Sequence, residues 1–114
     1  MTVLQVLQII LAVLTIATGL ISLIRPRAVL GFTGLAVPGG RGVTEIRAIL
    51  GGGFVGLGVA PLILNAPAAY IMLGITYLVI AAARVAGVVL DGSVERSNLI
   101  SLGFEIVAGI ILVL

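Results

Sequence analysis

The chain contains no cysteine and no histidine, and only two methionines, one of them at position 1. Without cysteine there are no disulfides, no thiol nucleophile and no thiolate metal site. Without histidine there is no serine–histidine chemistry, no zinc site of the usual kind and no common haem ligand. A redox centre or metal held by protein ligands is not expected. Charge is also scarce, at 9% of the 114 residues, where a soluble domain carries about 25%. The six basic residues are all arginine and outnumber four acids, so the pI is near 10.0. No basic stripe interleaved with aromatics accompanies that excess, and nucleic acid is not an expected partner.

What the chain has instead is apolar length. Hydrophobic residues make up 61% of it, and the mean hydropathy is +1.42. A hydrocarbon core of about 30 Å takes roughly 20 residues of helix. Four segments are long enough, at about 2–24, 43–64, 68–90 and 97–114. Arg25-Pro26-Arg27 closes the first, Pro61 lies near the end of the second, and Asp91-Gly92 breaks the third. Helix is required because lipid offers no partners for an open strand edge. The polar–apolar alternation of a membrane barrel is absent. The first segment has no basic residue ahead of it and no small-residue cleavage signal before Arg25, which reads as a retained span and not a cleaved leader.

Residues 1–114 therefore read as one all-α domain, an integral membrane four-helix bundle built from antiparallel hairpins. Arg25, Arg27 and Arg41 follow the first span and Arg96 follows the third, whereas Asn65-Ala66-Pro67 carries no charge. The positive-inside rule then places the first and third loops in the cytoplasm and both termini outside. The stretch 28–37, apolar but broken by glycine and proline, is expected to lie in the interface as a short helix or turn. Glu45-Ile46-Arg47-Ala48 and Glu105-Ile106-Val107-Ala108 form a faint internal echo, as in a decayed parallel repeat.

At about 100° per residue, each span has one face that lipid would reject. It is Gln8, Ala12, Thr15, Gly19 and Ser22 on the first span, and Glu45, Gly52 and Gly56 on the second, with Arg47, Gly51, Phe54 and Gly58 opposite. On the third it is Tyr77, Arg84 and Asp91, and on the fourth Asn98, Ser101, Glu105 and Gly109. Turning these faces inward gives a narrow polar interior that includes Gln8, Thr15, Tyr77, Asn98 and Ser101. Small-xxx-small patterns let membrane helices approach closely. Gly52-xxx-Gly56 and Ala83-xxx-Gly87 make Gly52, Gly56 and Gly87 the expected packing positions.

A charge at the centre of an inserted helix costs about 2.5–3.5 kcal/mol, so buried charges should pair. Arg84 lies roughly 9 Å inside the end of its span at about 1.5 Å per residue, and Glu105 near the middle of the fourth. Depth makes them the best-matched pair, and Glu45, Arg47 and Asp91 are expected to complete a network. Such a network either binds something or fixes helix register. No nucleophile stands beside a base, so no enzyme activity is expected.

Several of these residues together resemble a known family. Glu45-x-Arg47-Ala48 ahead of Gly51–Gly53, Arg84 late in the third span, Leu90-Asp91-Gly92, Glu105 and Pro26 resemble the bacterial membrane family called domain of unknown function 4345. The resemblance covers nearly the whole chain, although Ile49-Leu50 stand where an aromatic would be expected. It implies a four-helix membrane protein, DoxX-like in style, and favours Glu45, Arg47, Arg84, Asp91 and Glu105 as one site. It implies no activity. The leading expectation is a non-catalytic accessory or scaffold subunit of a larger membrane complex, with membrane lipids and either other subunits or further copies of itself as partners. On that reading lipid or pigment-like molecules would fill grooves beside the glycines. One alternative is a module that binds a lipophilic or anionic molecule, such as a quinone or a lipid headgroup, through Arg47 and Arg84. The other is a small proton-coupled transporter, which would ordinarily need an acid in the first span, and none is there.

Overall fold

The computed structural model describes all of residues 1–114 and contains only helices and their connections. Four helices are long and apolar enough to cross a membrane. They are α1 (Val3–Ile24), α2 (Gly40–Leu64), α3 (Pro67–Asp91) and α4 (Arg96–Val113). The chain divides into two compact units. One is Ile9–Asn65; the other joins Met1–Gln8 to Ala66–Leu114.

Local chemistry sets the boundaries. Arg25 precedes proline and is pushed out of the helical region, to φ −127° and ψ 68°, which ends α1. Pro26 then opens a 3₁₀ turn, Pro26–Val29, and one α-helical turn, Leu30–Thr33, follows it. Gly34 stops that turn in the left-handed region at φ 74°. Helical structure thus covers the first half of the stretch expected at the interface, and residues 34–39 are irregular. α2 starts at Gly40, three residues earlier than its apolar run. The helix ends on Asn65 at φ 48°, a residue type that tolerates this conformation. Ala66 is extended ahead of Pro67, which begins α3 at its first position. Gly92 caps α3 at φ 61°, and the amides of Gly92 and Ser93 both donate to the Val88 carbonyl.

The main departure from a regular helix lies inside α2. Residues Gly40–Glu45 and Phe54–Leu64 are α-helical, but Ile46–Gly53 is π-helical. An i→i+5 turn takes about one residue more than an α turn, so the inward face advances along the chain. The buried residues of α2 follow that shift: Ile46, then Gly51 five positions on, then Gly58 and Pro61. A wheel drawn at constant pitch cannot follow it.

In the unit Ile9–Asn65, α1 and α2 run antiparallel and approach at glycines. A Cβ on Gly58 would lie 2.6 Å from the Ala12 carbonyl oxygen, and one on Gly51 would lie 2.8 Å from the Leu23 Cα. One on Gly19 would meet the Val55 amide nitrogen at 2.6 Å. Ala12, Thr15, Gly19 and Ser22 of α1 are buried. The Thr15 hydroxyl donates to the Leu11 carbonyl one turn back, at 2.7 Å. In the other unit, α3 and α4 are also antiparallel and meet at Gly74 and Gly109. A Cβ on Gly74 would lie 2.8 Å from the Leu112 Cβ, and one on Gly109 would lie 2.6 Å from the Leu78 side chain.

These contacts correct the glycine assignment. Gly56 has open space where a Cβ would be, Gly52 meets only the Arg47 carbonyl at 3.9 Å, and Gly87 only an Asp91 oxygen at 3.6 Å. The π-helical turns carry the packing face of α2 onto Gly51 and Gly58, which the regular wheel had set opposite Gly52 and Gly56. On α3 the close approach is at Gly74, more than three turns before Gly87.

Candidate functional site

The buried charge sits between α3 and α4. Arg84 is on the α3 face that meets α4, and Asn98 and Glu105 are two turns apart on α4 and therefore on one side of it. The Arg84 guanidinium grips the Glu105 carboxylate with two parallel bonds, Nε to Oε1 at 2.8 Å and Nη2 to Oε2 at 2.6 Å. Its Nη1 donates to the Asn98 Oδ1 at 3.0 Å. The Asn98 Nδ2 in turn donates to the Ser93 carbonyl at 2.9 Å and to the Ser93 hydroxyl oxygen at 3.2 Å. The chain of bonds thus runs from the middle of α4 across to α3 and back to the turn that joins them.

Only the planar, five-donor fork of arginine can make this two-point contact with a carboxylate and hold an amide oxygen as well. The Glu105 side chain is 8% exposed and that of Arg84 29%. Glu105 lies nine residues into an 18-residue helix, about 14 Å from its start. A charge there is tolerable only with its partner in place. Every buried side-chain nitrogen or oxygen in the protein has a hydrogen-bond partner.

Neighbouring side chains reinforce the contact between α3 and α4. Buried Tyr77 and the more exposed Phe104 meet edge to face, with ring centroids 5.7 Å apart and planes at 82°. In the same unit, half-buried Gln8 donates from Nε2 to the Ile111 carbonyl at 3.0 Å. Ser101 is half-buried on α4 between Asn98 and Glu105.

The remaining charges of the expected network have other positions. Glu45 pairs with Arg41, four residues away on the same helix, at 3.0 Å and largely exposed. Such a pair adds little stability. Arg47 is exposed and donates from Nη1 to the Leu23 carbonyl at 2.6 Å. That oxygen is among the last carbonyls of α1, which have no partner within their own helix. Asp91 is exposed at the end of α3 and makes no ion pair with Arg84. The structure therefore brings together Arg84, Glu105 and Asn98, with Ser93 behind them, and does not add Glu45, Arg47 or Asp91 to that cluster. Ser93 was absent from the expected set. Its only signal in the sequence is its place in the Gly92-Ser93 turn, within reach of the first turn of α4.

Helix length, composition and a carboxylate–guanidinium pair held between two spans define a multi-pass, all-helical membrane protein. Within that class the chain belongs to the family described as domain of unknown function (DUF4345), whose model matches residues 3–114. No curated protein and no solved structure matches the chain.

Proposed function

We infer that this protein is a non-catalytic component of the bacterial cytoplasmic membrane, an accessory or scaffold subunit that holds shape within a larger membrane complex. The observation that carries this reading is the engagement of Arg84 and Glu105 with one another. The carboxylate receives two bonds from the same guanidinium, and the third guanidinium bond goes to Asn98, which is itself anchored at Ser93. A residue meant to capture an anion or carry a proton keeps donors or acceptors for its ligand, and here they serve the α3–α4 contact. The pair acts as a lock on helix register, the best-attested use of a buried polar group.

Apolar surface supports the same reading. Val79, Val89 and Leu90 of α3 are largely exposed, as are Ile63 and Leu64 of α2 in the other unit, and on each unit such side chains suit lipid or a neighbouring subunit. Arginine placement favours cytoplasmic loops around residues 25–39 and 92–95 with both termini outside. Purification from the native membrane in a mild detergent, followed by mass spectrometry of all co-purifying proteins and small molecules, tests the assignment. A stoichiometric membrane-protein partner is expected. A lone chain or small homo-oligomer that carries one bound small-molecule species would overturn it in favour of a ligand-binding module.

A further inference from the structure

Three exposed arginines belong to the end of the unit Ile9–Asn65 where α1 stops. Arg25 and Arg27 flank Pro26 and are exposed, and neither makes an ion pair or a side-chain hydrogen bond. Arg47 reaches the same place from α2 through its bond to the Leu23 carbonyl, two residues before Arg25. The 3₁₀ turn Pro26–Val29, which holds Arg27, packs against the π-helical segment that holds Arg47. Arg47 uses one donor on Leu23 and keeps others, since a guanidinium has five N–H groups. The acid of this unit, Glu45, is taken by Arg41. The three positive charges therefore face outward without a carboxylate to balance them. Exposed apolar side chains belong to the same end of α1 and the connection that follows it. Ile24 is 65% exposed, Phe32 51% and Leu35 47%, at the boundary between a membrane-length helix and its loop.

We propose that Arg25, Arg27 and Arg47 form a binding site for the headgroup of an anionic phospholipid, with Ile24 and Phe32 against its acyl chains. Each element of the site matches a part of that ligand. Guanidinium forks match phosphate oxygens. Unpaired arginines beside a span attract acidic lipid, and exposed apolar residues next to them suit the acyl boundary. The site belongs to α1, α2 and their connection, so it neither needs nor tests the accessory-subunit reading.

The test is native mass spectrometry of the detergent-purified protein titrated with dioleoyl phosphatidylglycerol and, separately, dioleoyl phosphatidylcholine. Wild type is expected to retain the glycerol lipid preferentially. At roughly a tenfold effect per 1.4 kcal/mol and about 1 kcal/mol per arginine, R25Q/R27Q should weaken that retention about thirtyfold. R25K/R27K should keep most of it, and R96Q, at the start of α4, should leave it unchanged. If R25Q/R27Q does not fold, a salt titration of wild type decides, with loss of the glycerol lipid at high ionic strength expected. Equal retention of the two lipids, retention unaffected by R25Q/R27Q, or retention unaffected by salt would overturn the proposal. So would displacement of the lipid by inorganic phosphate, which would make the cluster a small-anion site.

Discussion

Replacement of Glu105 by glutamine keeps the shape of the side chain but removes the charge that balances Arg84. The guanidinium still has Asn98, at 3.0 Å, but loses a two-point contact at 2.8 and 2.6 Å with a carboxylate that is 8% exposed. An unpaired charge at mid-helix costs about 2.5–3.5 kcal/mol on insertion scales, and breaking a buried pair costs about 3–5 kcal/mol in soluble proteins. The expected loss for E105Q is therefore about 3 kcal/mol. R84M strands the carboxylate and should lose a similar amount. The double variant R84M/E105L replaces the pair with apolar side chains and should return close to wild type, since such replacements are often neutral. Reversible unfolding in mixed micelles of dodecylmaltoside and dodecyl sulfate, followed by circular dichroism, gives the three differences and their coupling. Ordinary interhelical hydrogen bonds in membranes couple by about 0.6 kcal/mol and at most about 1.7 kcal/mol, so a lock should exceed 2 kcal/mol. Coupling of about 0.5 kcal/mol or less, with both single variants near wild type, would refute the lock and leave the pair free for another role.

The glycines permit a paired comparison. G58A forces a methyl to within 2.6 Å of the Ala12 carbonyl and should lose about 1–3 kcal/mol by overpacking, while G56A points into open space and should be neutral or gain up to about 1 kcal/mol of helix propensity. Thermal unfolding of the two variants in one detergent compares them directly, and a reversed order would show that α2 meets α1 through another face. N98A removes the third bond to Arg84 and the two to Ser93, and should lower stability by about 1–3 kcal/mol in the same micelle assay. R47L exposes the Leu23 carbonyl and should speed hydrogen exchange in the last turn of α1 at a loss of about 1 kcal/mol, while exchange in α3 and α4 stays unchanged.

Some of the site could be read before any coordinates. Arg84 and Glu105 stand out because two opposite charges at similar depth in apolar helices have few other partners, and the structure places them in contact. Asn98 could be placed on the Glu105 face because seven residues bring a helix almost back to the same angle. Ser93 could not, because its role depends on how the turn after Gly92 folds over the start of α4. The grouping of Glu45 with Arg84 rested on their nearness to one surface. Nearness in depth leaves rotation about the helix axis undetermined, and Arg41 lies one turn from Glu45 on its own helix.

The amino-acid sequence alone determined the four spans and their approximate ends. Bilayer thickness sets how much apolar helix is needed, and proline, glycine and asparagine act locally on the backbone at Pro26, Gly34, Asn65, Pro67 and Gly92. Tertiary structure decided which glycines are contacts and which charges are partners. Both depend on helix phase, and the π-helical turns at Ile46–Gly53 shift that phase within α2. Gly51 and Gly58 thereby face α1 while Gly52 and Gly56 stay exposed. A periodic reading assumes a constant pitch, and hydrogen-bond register within a helix answers to the neighbour it packs against.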